Sequence, residues 1–433
     1  MTAHAQTLMV PTTPPTGVIA IVGGKLLTIT HGTIENGTLL IENGKITAAG
    51  ANIKAPKGAT IVDAKGMTVY PGLIDAETNL GLTELTEGGN NNDLVETSDE
   101  IFPQMHVYDA FHAETESIPV ARFNGITNAI VAPRNADTMP GQDSFIQLAG
   151  RDRDQMILTR DIALAMNFGD SPKRGGRPGG GGGYPSTRMG EIAQLRQALI
   201  DAQEYMRARA AAAATPAPAP TEVPAAGRGG RAGGAPSSQF NLRNEALIPY
   251  LKGERPVIIG VDQGHDVEAI MELAKDFHLK VVLSRVTHTQ DVLDKIASYH
   301  VPVIVGPIYE LPEAGERFDA VYSLPAELQK RGVKIALASY ENQFIRNLPY
   351  AAGYAVAYGL PYDEALKAIT LNPAEIFGVA DKLGSLDPGK TANIVIANGD
   401  PLDVRTTVKQ VYINGVAIPM ETRQTRLRDE YMK

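Results

Sequence analysis

Cys is 0, so any chemistry in this chain comes from nitrogen and oxygen side chains; disulfides, thiolate metal sites and a cysteine nucleophile are excluded. The 8 histidines are the first place to look. His265 and His288 fall just beyond strand-like runs, and Asp262, Glu77 and Glu341 are oxygen donors available to join them around a divalent cation. Their spacing matches no established ligand pattern. The plainer reading places His265 at a helix start and His288 in a loop, both facing solvent. His106 and His112 stand in a polar, helical segment, but their separation is not the i, i+4 of two ligands on one helix face. His278 and His300 end helices, where a cation complements the dipole. Arg285 is the other informative charge. Buried on a strand, a guanidinium needs a partner, either Glu77 or Asp262 as a structural ion pair or an anionic ligand that it captures.

The elements that would position these residues are legible as periodicities. From Val18 to Val69, short β-rich runs alternate with Asn36-Gly37 and Asn43-Gly44, dipeptides that tolerate the positive φ of hairpin turns. The same style returns in Ala392 to Ile396 and in Val411 to Ile413, followed by Asn414-Gly415. The middle alternates strand and helix. Val257 to Gly260, Lys280 to Leu283, Val301 to Val305 and Val333 to Leu337 are apolar strands. Asp266 is expected to cap a helix whose Val267, Ile270, Met271, Ala274 and Phe277 make one buried stripe, and a second helix is expected over 290–299. This alternation predicts a parallel sheet, most simply a (β/α)8 barrel, with a composite β-sandwich made from both chain ends. Residues 18–70 and 385–420 form the sandwich and 71–384 the barrel. Residues 1–17 are expected to be disordered and 421–433 to be a tail. Low-complexity insertions at 173–187 and 208–238 are too poor in apolar residues to offset their ordering entropy. A helix over 188–209 lies between them, with Leu195, Leu199 and Tyr205 on its apolar side.

Val69-Tyr70-Pro71-Gly72-Leu73-Ile74-Asp75 gives these elements a context. The run resembles the barrel entry of the metal-dependent amidohydrolase superfamily, in its imidazolonepropionase-like branch. Gly125-Ile126-Thr127, the Pro140-Gly141-Gln142 loop, Leu371-Asn372-Pro373-Ala374 and Gly384 to Lys390 resemble further framing motifs, and the likeness covers nearly the whole chain outside the insertions. It implies a metal that lowers the pKa of an attacking water from about 16 to near 7, together with a carboxylate that moves the proton. It also implies where the ligands would stand. The x-His-x-His after Asp75 is here Ala76-Glu77-Thr78-Asn79. Ala165 stands at the lysine position, Gly260 and Arg285 at later histidines, and Tyr340 at the aspartate of the last strand.

The expectation is therefore an amidohydrolase-like barrel with no catalytic residue, no metal and no cofactor. Glu77, Asn79, Asp262, Arg285, His288 and Tyr340 are its ligand-binding candidates. A binding or assembly subunit, a homo-oligomer or a partner of a catalytic paralogue, with a small anionic ligand in the barrel mouth, is the first reading. A hydrolase of C–N bonds in a cyclic amide or small peptide-like substrate, using a remodelled site, is the second. A net charge of -9 argues against nucleic acid, and the two arginines of Arg228-Gly229-Gly230-Arg231 do not change that. No apolar run approaches the roughly 20 residues that span a bilayer. Ala3-His4-Ala5-Gln6 resembles the end of a secretory signal, which predicts a periplasmic or secreted protein.

Overall fold

The computed structural model describes residues 10–84, 92–173, 183–214 and 239–432. Eight strands come from the chain ends: β1 (Val18–Leu27), β2 (Thr33–Glu42), β3 (Lys45–Gly50), β4 (Thr60–Asp63) and β5 (Thr68–Pro71), then β14 (Ile394–Ala397), β15 (Val408–Ile413) and β16 (Val416–Ile418). They form one sheet in the order β16-β15-β14-β5-β1-β2-β3, with β4 paired to β1. The composite domain thus forms from both termini, joined by the antiparallel pairing of β5 with β14. Its two ends meet, because the carbonyl of Gly44 accepts from the amide of Ala392 at 2.8 Å. Ile21, Leu39, Ile46, Val69, Ile394 and Tyr412 fill the space between.

The second sheet takes β6 (Leu73–Thr78), β7 (Ile126–Val131), β8 (Gly141–Gln147), β9 (Ile157–Asn167), β10 (Val257–Gly260), β11 (Val281–Val286), β12 (Val303–Val305) and β13 (Ile335–Leu337), in that order. The barrel closes from β13 to β6 through the loop beyond β13: the Tyr340 amide donates to the Glu77 carbonyl at 2.9 Å. Helices over 264–276, 293–298 and 320–330 connect the later strands, as right-handed β-α-β units require. Ile74, Ile130, Phe145, Ala163, Ile258, Val282, Ile304 and Ala336 point inward and pack the barrel interior.

The barrel departs from eight parallel strands at one place. β8 runs antiparallel to β7 and to β9, leaving seven strands parallel. The segments on either side of β8 are too short for a full helical crossover, which takes a dozen or more residues. Gly141, expected in a loop, begins this strand with φ +143, and a Cβ there would meet the Met105 carbonyl at 2.9 Å.

Other expectations also need correcting. Residues 10–17 are not disordered: Val10 is fully buried, and the Thr12 carbonyl accepts from the Asn414 side chain. The C-terminal tail carries a helix, Arg423–Tyr431, started by a capping box between Thr422 and Thr425. The helix beginning at Arg188 runs to Ala214, seven residues into the second insertion as read from the sequence. Alanine is the best helix former, so Ala210 to Ala214 extend it. Residues 1–9, 85–91, 174–182, 215–238 and 433 lie outside the described residues, and with them most of both insertions.

Candidate functional site at the barrel mouth

The C-terminal ends of the parallel strands form the mouth. β6 shifts register against β7 between Asp75 and Thr78, and Glu77 reaches into the barrel across from β11. On the far side, Arg285 stands one residue before the end of β11 with φ +57, and Tyr340 follows β13 with φ +60. Left-handed backbone costs a residue with a side chain roughly 1–2 kcal/mol, and two such residues side by side mark a site whose surroundings enforce that geometry.

Three of the candidate residues meet in one network. The Arg285 Nη2 lies 3.1 Å from Glu77 Oε1, with 13% and 7% of the two side chains exposed. The guanidinium carbon stands 4.3 Å over the Tyr340 ring, a cation–π contact. The Ser284 hydroxyl donates to Glu77 Oε2 at 2.5 Å, so both carboxylate oxygens are engaged. The Tyr340 hydroxyl accepts the Arg285 amide at 3.0 Å and donates to the Ile304 carbonyl at 3.2 Å. Burial, with Glu77 adding to it, raises the tyrosine well above the usual phenol range.

Asp262 and His288 form a second group beside it. The His288 amide donates to the Asp262 carbonyl, and its ring Nδ1 lies 2.9 Å from Glu316 Oε2. The ring is 9% exposed, so the expectation of an exposed His288 is overturned; the loop after β12 delivers Glu310 and Glu316 against it. Burial raises the Asp262 and Glu310 carboxyls, and nearby acids add to both shifts. Asn79 joins neither group, since its amide donates to the Ala132 carbonyl and ties β6 to β7. His265 is largely exposed and its ring lies against Asp266. Asp266 itself is not the cap: Gln263 holds that position, and buried Asp266 pairs with Arg188. His106 pairs with Asp161, and His112 with Asp93. His278 and His300 take φ +53 and +54 just after their helices, a left-handed exit that chain reversal demands there.

Sequence reasoning passed over two buried acids. Asp75 Oδ1 accepts the amides of Glu77 and Ser339, and burial pushes the carboxyl up from 3.8 to about 7 against those bonds. Asp143, on β8, is fully buried, and neither of its oxygens has a partner among the described residues. Burial, reinforced by Glu77, holds it well above the carboxylate range. Nothing local in Gly141-Gln142-Asp143 announced this, because the segment was not recognised as a barrel strand.

The donors at the mouth do not fit a divalent metal. Glu77 is spent on Arg285 and Ser284, a guanidinium occupies the centre, and Ala165 and Gly260 supply no side-chain donor. Among the described residues, no three His, Cys, Asp or Glu side chains converge as a metal ion requires. The arrangement offers instead a paired guanidinium, an aromatic face and acids whose carboxyls burial pushes upward.

The fold and this site can be set beside known proteins. A sequence profile of the amidohydrolase family matches residues 257–418. The amidohydrolase tasK of Hapsidospora irregularis is 26% identical over 406 residues, covering 88% of this chain but 40% of that protein. The chain thus spans well under half the length of that relative. The imidazolonepropionase of Thermoplasma volcanium is 35% identical over 105 residues, 22% of this chain and 26% of that protein. An amidohydrolase structure from Thermotoga maritima superposes with a TM-score of 0.81 at 28% identity, covering 94% of this chain and 100% of that one. With its barrel, its composite sheet and these relatives, the chain carries an amidohydrolase family domain over residues 257–418 and is similar in fold to the Thermotoga maritima amidohydrolase, with an imidazolonepropionase among the proteins it resembles.

Proposed function

We propose that this protein is a metal-independent binding member of the superfamily, a binding or assembly subunit that acts as a homo-oligomer or beside a catalytic relative. The observation that carries the reading is the Arg285–Glu77 pair. It sets a fixed positive charge and its counter-charge in the strand-end mouth, where barrel enzymes hold their chemistry. Glu77, Asn79, Ala165, Gly260, Arg285 and Tyr340 then stand as substitutions of the family's ligands. The pair cements the barrel, and the Ser284 hydroxyl beside it is fully buried and held by Glu77. The test is turnover. Purified protein, supplied in turn with zinc, manganese and iron, is assayed against cyclic amides, ureas and dipeptides; no hydrolysis above buffer is expected. Metal-stimulated turnover that is lost with Glu77→Gln overturns the reading.

A second reading keeps hydrolysis of C–N bonds by a remodelled site, and the names of the relatives favour it. The same assay separates the two. The Ala3-His4-Ala5 segment supports export of the protein from the cytoplasm.

A further inference from the structure

We propose that the barrel mouth binds the protonated primary amine of a small ligand, docked on Asp143 beside Glu77. The inference deepens the binding reading above and rests on it. Asp143 lies on the inward face of β8, two residues before Phe145 of the inner barrel packing, and its register partner on β9 is the inward Ala163. A buried carboxyl with neither oxygen partnered is costly, and it is rare in folded proteins. Glu77 does not relieve it, because an ionised carboxylate only accepts and its oxygens are turned to Arg285 and Ser284. Asp143 is therefore the one acid in this layer with its full acceptor capacity open, among the described residues.

Two further features point to a cationic donor. Around Asp143 the wall is small: Gly141 pairs with Ala165, which keeps 8% exposure inside the mouth. Carboxyl groups also predominate there, with Asp75, Glu77 and Asp143 around Arg285. A carboxylate ligand would meet these acids and Glu310. An ammonium group instead brings three N–H donors and a positive charge to oxygens that lack both. The balance is simple. The Asp143 carboxylic acid gives its proton to solvent, and the ammonium takes the proton's place, so the charge of the pocket with its ligand is unchanged and one proton leaves per amine bound. Affinity therefore rises with pH until the free amine itself deprotonates.

The experiment uses the full chain and n-butylammonium chloride, with n-butanol and sodium butyrate as matched probes, followed by calorimetry and melting temperature from about pH 6 to about pH 9. Butylammonium is expected to bind and raise the melting temperature, to bind more tightly as pH rises, and to release a proton visible in buffers of different ionisation enthalpy. Asp143→Asn should weaken binding by roughly tenfold or more. Ala165→Leu, which fills the space and leaves the acid in place, should abolish binding and decides the matter if Asp143→Asn does not fold. Binding of butyrate in preference, equal binding by the variants, or no binding of any probe overturns the proposal. If the protein carries no metal and still ignores the amine, this inference alone fails; stoichiometric bound metal defeats the binding reading beneath it.

Discussion

Replacing Arg285 by methionine tests what the mouth is built around. The guanidinium and the Glu77 carboxylate are 3.1 Å apart and almost wholly buried, so neither has water to fall back on. Methionine preserves most of the side-chain volume over the Tyr340 ring but leaves Glu77 charged with only Ser284 donating to it. Breaking a buried pair from one side costs roughly 3–5 kcal/mol, most of it the penalty of the stranded charge. The cation–π contact adds a further ~1 kcal/mol. Glu77→Gln on the Arg285→Met background removes the stranded charge while keeping an oxygen for Ser284. The double variant should therefore recover most of the loss, with a coupling of about 2 kcal/mol or more. Urea unfolding of the parent, both single variants and the double variant measures this cycle directly. If Arg285→Met is neutral, or if the two substitutions simply add, the pair is not the cement of the mouth and the reasoning is refuted.

Three further outcomes are expected. The Asp75 carboxyl has a folded pKa of about 7 against 3.8 unfolded, so between those values the folded state binds the extra proton and stability falls as pH rises. Asp75→Asn keeps the oxygen that accepts from Glu77 and Ser339; it should match the parent near pH 4 and exceed it above pH 7 by up to on the order of 4 kcal/mol, and a parallel pH profile of urea midpoints would contradict this. Tyr340→Phe removes an acceptor from the Arg285 amide and a donor from the Ile304 carbonyl, so a loss of about 2–3 kcal/mol is expected by the same measurement. Fractionation of the native organism should find the protein outside the cytoplasm; recovery solely from cytosol would count against export.

The parts of the fold that were legible in the sequence are those governed by local period. The apolar runs of β10 to β13 and the stripe from Val267 to Ala274 report burial directly. The Arg285–Glu77 pair was legible for a different reason: a charge on a buried strand must find an opposite one, and few were available. What stayed hidden depends on contacts distant in sequence. His288 is buried by Glu310 and Glu316, which arrive from the next loop, and no local feature signals that approach. Asp143 was missed because β8 carries Gly141, Gln142, Asp143 and Ser144 in sequence, a polar run that reads as a loop until its neighbours bury it. Val10 likewise belongs to a core assembled from residues along the whole chain.

The central claim, that a guanidinium–carboxylate pair has replaced a metal at the barrel mouth, is tested most directly by elemental analysis of protein expressed in zinc- and manganese-supplemented medium, with the melting temperature followed before and after chelation. The account predicts metal far below one equivalent per chain and a melting temperature that chelation leaves unchanged. Near-equimolar metal, removed by chelator together with a fall in melting temperature, would contradict it.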